Sequence, residues 1–150
     1  MRSFGASILA SPTQVVERAI ALSAAHPTDL VSVAGPDGLA AMVALLRAGF
    51  ERVECARQAT CRGADEASDV LLIVGALSAT ELAALVARTA RLLKDGGTLV
   101  VQLDRPAVDA PLRAALAATG FVAGPPVIDR ACGCLAVRQV RRALPLRAAG

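Results

Sequence analysis

The sequence predicts one α/β domain built in three layers, a mostly parallel sheet with helices on both faces. Three observations lead there. Apolar runs of strand length alternate with segments of helical periodicity, which is the order of β-α-β units. The run from Asp69 to Leu77 (DVLLIVGAL) is apolar on both faces, as a central parallel strand covered on two sides must be. A chain of 150 residues with 55% hydrophobic content has the size and the core material of one domain, taken here as 1–150.

The elements follow in order. Ser11-Pro12-Thr13-Gln14 joins a capping serine, a proline at the first helical position and a glutamine three residues past the cap. Val15, Val16, Ala19, Ile20 and Leu22 then form an apolar face, so a helix is expected over about 11–25, ending at His26-Pro27. Asp29 to Ala34 reads as a strand, Gly35-Pro36-Asp37-Gly38 as a tight turn, and Leu39 to Leu46 as a helix stopped by Gly49. Arg52 to Ala56 is the next strand and closes the first β-α-β unit. After the central run, Ser78-Ala79-Thr80-Glu81 is a capping box, and Leu82, Leu85, Val86, Leu92 and Leu93 continue at helical spacing. Lys94 is expected in the last turn of that helix, where it favours the dipole, with Gly96-Gly97 as the exit. Thr98 to Leu103 is a strand and Ala110 to Ala118 a helix ended by Gly120. Strands are expected around Val127-Ile128 and from Cys134 to Val140; a hairpin at Gly133 would make the last one antiparallel.

Composition excludes several classes of function. There are three Phe, no Tyr and no Trp, so stacking platforms for nucleic-acid bases are nearly absent. No apolar run approaches the roughly 20 residues of a membrane span. The N-terminal ten residues are too weakly patterned for a signal peptide. Four cysteines without a secretory signal fit reduced thiols and a cytoplasmic location. The net charge of +3 has one local excess, the basic tail over about 141–150 with Arg138 just before it, which reads as a solvated terminus.

From Asp69 onward the wording resembles the second half of class I S-adenosylmethionine (SAM)-dependent methyltransferases. "SDVLLIVGAL" is similar to that family's fourth strand. "LVARTARLLKDGGTLVVQLD" resembles its next helix, Gly-Gly turn and fifth strand, and "LRAALAATGF" and "CLAVRQVRR" resemble its last helix and closing antiparallel strand. "DLVSVAGPDGLAAMVALLRAGFERVECA" resembles the cofactor-binding β-α-β unit, so the likeness spans about residues 29–142. It implies a Rossmann-like fold and SAM as cofactor, lying over the turn from Gly35 through Asp37 to Gly38. It also places Gly75, at the end of the central strand, among the cofactor-binding positions.

The departures from the family pattern are specific. The acidic residue usually found before a Gly-x-Gly-x-Gly loop is replaced by Ser32, and only two glycines remain. The acid that accepts the ribose hydroxyls falls at Arg57, although Glu54 stays on the same strand face two residues earlier. An arginine there is what a dinucleotide fold uses for a 2′-phosphate, but the rest of that fingerprint is missing. Only residues 58–68 separate the second strand from Asp69, too few for a full crossover with its own helix and strand. Part of the usual third-strand region is therefore expected to be missing, with Asp65 the remnant acceptor for an adenine amino group. A comparable trimming occurs in the methyltransferase-like domain of anamorsin-type proteins, which serves interaction.

Catalytic chemistry is less legible. The Asn/Asp-Pro-Pro-aromatic motif of nucleic-acid amino-methyltransferases is replaced by Gly75-Ala76-Leu77-Ser78. His26, the only histidine, reads as a surface cap, so no Ser/His/Asp or Cys/His set can be assembled. Cys132-x-Cys134 and Cys55-x5-Cys61 lack zinc spacing. The family's strand order also puts Cys55 about 19 Å from the last strand, so no metal site is expected. Two readings remain. One is a small SAM-dependent methyltransferase, or its degenerate descendant, acting on a small-molecule methyl acceptor. The other is a non-catalytic interaction or regulatory module, a pseudoenzyme that self-associates or binds a protein through the sheet edge left by the deletion.

Overall fold

Residues 11–56, 67–102, 109–129 and 133–142 are described by a computed structural model. Helix α1 (Pro12–Ser23) starts at the expected box: the Ser11 hydroxyl accepts the Gln14 N–H, and the Gln14 side chain accepts the Ser11 N–H. Strand β1 (Leu30–Ala34), helix α2 (Gly38–Arg47) and strand β2 (Arg52–Cys55) make the first β-α-β unit. Strand β3 (Ser68–Ile73), helix α3 (Ala79–Thr89) and strand β4 (Leu93–Gln102) make the second. Helix α4 (Asp109–Ala118) leads to short strands β5 (Phe121–Ala123) and β6 (Val127–Asp129) and to the long strand β7 (Cys134–Arg142).

The sheet runs β2-β1-β3-β4-β7-β5, with β6 also on β7. Strands β1 to β4 are mutually parallel, and β7 is antiparallel to β4, β5 and β6. The expected α/β fold is therefore present, with its antiparallel C-terminal strand, and Gly133 turns at φ +68° into the hairpin. Strand β5 is additional; three residues carry too little periodicity to be read from sequence.

Alternation along the strands builds two cores. Val31, Val33, Val70, Leu72, Val74 and Val100 turn to one face, where α1 and α2 cover them with Val15, Val16, Ala41 and Leu45. Leu71, Ile73, Leu99 and Val101 turn to the other, under Leu82 and Val86 of α3 and Leu112 and Leu116 of α4. A strand buried on both sides cannot alternate apolar with polar, which is why DVLLIVGAL reads as one block.

One expectation is corrected. Helix α3 ends at Thr89, a 3-10 turn follows over Ala90–Leu92, and Lys94 lies in β4 rather than in a helical last turn. From Leu93 to Thr98 strand β4 bulges against the short step from Ser68 to Val70 on β3, and Gly96, at φ +79°, sits in that bulge. The lysine ammonium there forms an ion pair with Asp69, whose other oxygen accepts the Leu30 N–H at 2.8 Å. The cation thus serves a strand start instead of a helix end.

This clamp makes stability depend on acid. Burial works against the Asp69 charge, but hydrogen bonds from Lys94 and the Leu30 N–H, with the charges of Lys94 and Arg52, outweigh it and hold the carboxyl below its ordinary 3.8. A depressed carboxyl contributes its full stability above the unfolded value and loses it as pH falls through the folded one. Urea midpoints are expected to decline below about pH 4, and Asp69→Asn should flatten that part of the profile. Because the lysine is half-exposed, the variant should cost only about 1 kcal/mol at neutral pH. An unchanged acid limb in Asp69→Asn would remove the clamp as its cause.

Candidate functional site

Strands β1 and β3 are neighbours, yet the helices that follow them depart to opposite faces, α2 to one and α3 to the other. The sheet therefore has a switch point beyond the C-terminal ends of these two strands, the place where open α/β sheets take ligands. Two turns meet there. Gly35 follows β1 at φ +97°, and Gly75 follows β3 at φ +118°. They are pressed together: a Cβ on Gly35 would lie 2.4 Å from the Val74 carbonyl oxygen, and one on Gly75 would lie 2.8 Å from Pro36 Cδ. The Val74 N–H donates to the Ala34 carbonyl, and the Asp37 N–H donates to the Val74 carbonyl, both at 3.0 Å. Both glycines are thus required by the contact between the turns themselves.

Asp37 and Gly38 occupy different positions in this crevice. Asp37 is exposed at the start of α2, and its side chain makes no capping hydrogen bond, so its carboxylate stands beside the positive end of the helix dipole. Gly38 is buried, its N–H donates to the Gly35 carbonyl at 3.1 Å, and a Cβ there would meet only ordinary contacts with Val33. A residue that sequence reasoning missed closes the far side: Gln102, the last residue of β4, accepts the Gly75 N–H on its Oε1 at 2.9 Å. A polar residue ending the apolar run TLVVQ, level with two glycine turns, was the available signal.

The remaining expected residues do not gather here. Ser32 is fully buried on the α3 and α4 side of the sheet, with its hydroxyl bonded to that of Ser68. Glu54 lies opposite Ser32 in the β1–β2 ladder and is half-buried, with Oε1 out of contact with solvent. Both stand before the crevice along their strands. Arg57, Asp65, Cys61 and Cys132 lie outside the described residues. His26 is exposed near the N-terminal start of β1, at the opposite end of the strand from the crevice. Among the described residues, no three His, Cys, Asp or Glu side chains converge as metal ligands, and no helix is long and apolar enough to cross a membrane. A separate cleft of about 240 Å³ opens between α4 and β5, lined by Leu112, Leu116, Ala117, Phe121 and Pro126. It is below the usual size for a nucleoside-sized ligand.

No family profile and no curated protein sequence matches the chain. Solved structures do match. The chain superposes on SAM-bound CalS10, an amino pentose methyltransferase from Micromonospora echinaspora, with a TM-score of 0.56 at 13% identity, over 93% of this chain and 98% of that one. For DesVI of Streptomyces venezuelae the TM-score is 0.54 at 10% identity, with coverage of 85% and 90%. A ribosomal-protein methylase from Lactobacillus delbrueckii subsp. bulgaricus gives 0.53 at 16% identity, over 87% and 79%. Such identities establish architecture, and the architecture is plain: the chain has the Rossmann-like fold of class I SAM-dependent methyltransferases.

Proposed function

We propose that the chain is a small SAM-binding domain of the methyltransferase type, with the ligand lying across Gly35–Gly38 and Gly75. The observation that carries this is the switch-point crevice, where two left-handed glycines bring the ends of β1 and β3 together beside the N-terminus of α2. The residues present fit such a ligand. The exposed Asp37 carboxylate, at the start of α2, would accept an amino-acid ammonium. The Val74 carbonyl joins the two turns by accepting the Asp37 N–H, and Gln102 ties the Gly75 turn to the end of β4. When bound, SAM supplies a methyl group on a sulfonium, an electrophile that a positioned acceptor attacks.

A second reading has its own support. Ser32 is hydrogen-bonded to Ser68 inside the sheet, Glu54 is half-buried on β2, and the lone histidine stands at the opposite end of β1. On this reading the domain is a non-catalytic interaction or regulatory module that keeps the scaffold without assisting proton removal from an acceptor.

Calorimetric titration of SAM and S-adenosylhomocysteine separates the readings. Binding is expected for the wild type, weakened about tenfold in Asp37→Ala through loss of one charge-assisted contact. Gly35 variants are unsuitable here because they disturb the turn itself. No heat and no thermal shift at millimolar ligand would end the SAM-binding reading and leave the scaffold one.

A further inference from the structure

The peptide unit between Val74 and Gly75 is held at both of its polar ends. Its carbonyl accepts the Asp37 N–H at 3.0 Å, and its N–H donates to Gln102 Oε1 at 2.9 Å. One bond reaches the start of α2 and the other the end of β4. Gly75 is buried, and a buried N–H left without an acceptor is costly. The backbone ladder between β3 and β4 does not supply that acceptor. Its last pair joins Ile73 to Val101, and at Gly75 the chain turns out of the sheet at φ +118°. The side chain of the next residue of β4 takes over where the ladder stops.

The position of Gln102 suits this task. Leu99, Val100 and Val101 before it are fully buried apolar residues, so the change to an amide has a local cause in the Gly75 N–H. Alternation puts Gln102 on the same face of the sheet as Val100, the face that α2 covers. A peptide unit is planar and rigid, so its two polar ends rotate together. Fixing the Gly75 N–H therefore fixes the direction of the Val74 carbonyl, and that carbonyl fixes the Asp37 N–H. The first turn is seated directly on the same group, because a Cβ at Gly35 would collide with the Val74 oxygen.

We propose that Gln102 is a positioning residue of the crevice: its side-chain carbonyl orients the Val74–Gly75 peptide and, through it, the turn that carries Asp37. The link from Gln102 to Asp37 follows from the fold alone. Its effect on ligand affinity rests on the SAM-binding reading above.

Amide hydrogen exchange of the labelled chain, with a separate titration of S-adenosylhomocysteine, tests the role. Gln102→Met keeps the length of the side chain without its carbonyl, and Gln102→Glu keeps an oxygen acceptor. In Gln102→Met, exchange at Gly75 and at Asp37 should quicken together, each about fivefold, as expected for loss of one hydrogen bond. Amides of Val70 to Leu72 should keep their rates, which separates a moved turn from a loosened fold. S-adenosylhomocysteine should bind about fivefold more weakly. Gln102→Glu should restore both the Asp37 protection and the affinity, a rescue that simple filling of space does not predict. Faster exchange at Gly75 with Asp37 unchanged overturns the proposal, and so do Met and Glu variants that behave alike. A wild type that binds no S-adenosylhomocysteine at millimolar concentration ends the SAM-binding reading alone. The exchange rate at Asp37 then still decides the positioning role.

Discussion

Gly35→Ala is expected to lower the melting temperature by roughly 10 °C. Its backbone angle of φ +97° is one that a side chain rarely adopts, at a cost of about 1–2 kcal/mol. The new Cβ would also meet the Val74 carbonyl oxygen at 2.4 Å. Both groups are backbone, fixed by the Val74-to-Ala34 and Asp37-to-Val74 hydrogen bonds, so neither can step aside cheaply. Overpacking of this kind adds about 1–3 kcal/mol, and at this chain length each kcal/mol moves the midpoint by about 2–4 °C. Gly49→Ala supplies the control. Gly49 has the same φ of +97° with nothing within 4 Å of its Cβ, so it should show the conformational cost alone. Equal losses in the two variants, read by calorimetric melting, would mean that the crevice turns are not pressed together as described.

Leu71→Ala is expected to cost about 2–5 kcal/mol, the range for emptying a well-packed leucine site. Leu71 is 1% exposed at the middle of β3, beside Ser32 of β1 and Leu99 of β4. It is anchored in the core under α3 and α4, and central parallel strands have little freedom to collapse into a void. Denaturant unfolding should show the midpoint falling with the slope unchanged. A loss below about 1 kcal/mol would place Leu71 outside a rigid core.

How far the sequence could be read followed from what each segment had to satisfy. Both capping boxes, at Ser11 and Ser78, were legible because a helix start imposes a local chemical requirement that serine with Gln14 or Glu81 meets. The central strand was legible because burial on two faces leaves no place for polar residues. Lys94 was misplaced because a helix-like apolar spacing ran on through Leu92 and Leu93. Tertiary contact instead drew Leu93 into β4 and the lysine to Asp69, 25 residues earlier in the chain. The candidate site was legible as a turn with two glycines. That Gly35 and Gly75 are needed for each other was not, because their contact joins residues 40 apart through backbone atoms that no sequence pattern reports. Ser32, singled out as a substituted acid, has a structural partner in Ser68, another pairing that only the folded sheet creates.

Amide NMR of the uniformly labelled chain during titration with S-adenosylhomocysteine tests the ligand crevice at the ends of β1 and β3 most directly. The predicted result is saturable shifts concentrated at Gly35, Asp37, Gly38 and Gly75, with the cleft residues Leu112, Leu116 and Phe121 unmoved. Absence of shifts at millimolar ligand, or shifts confined to the α4–β5 cleft, would contradict it.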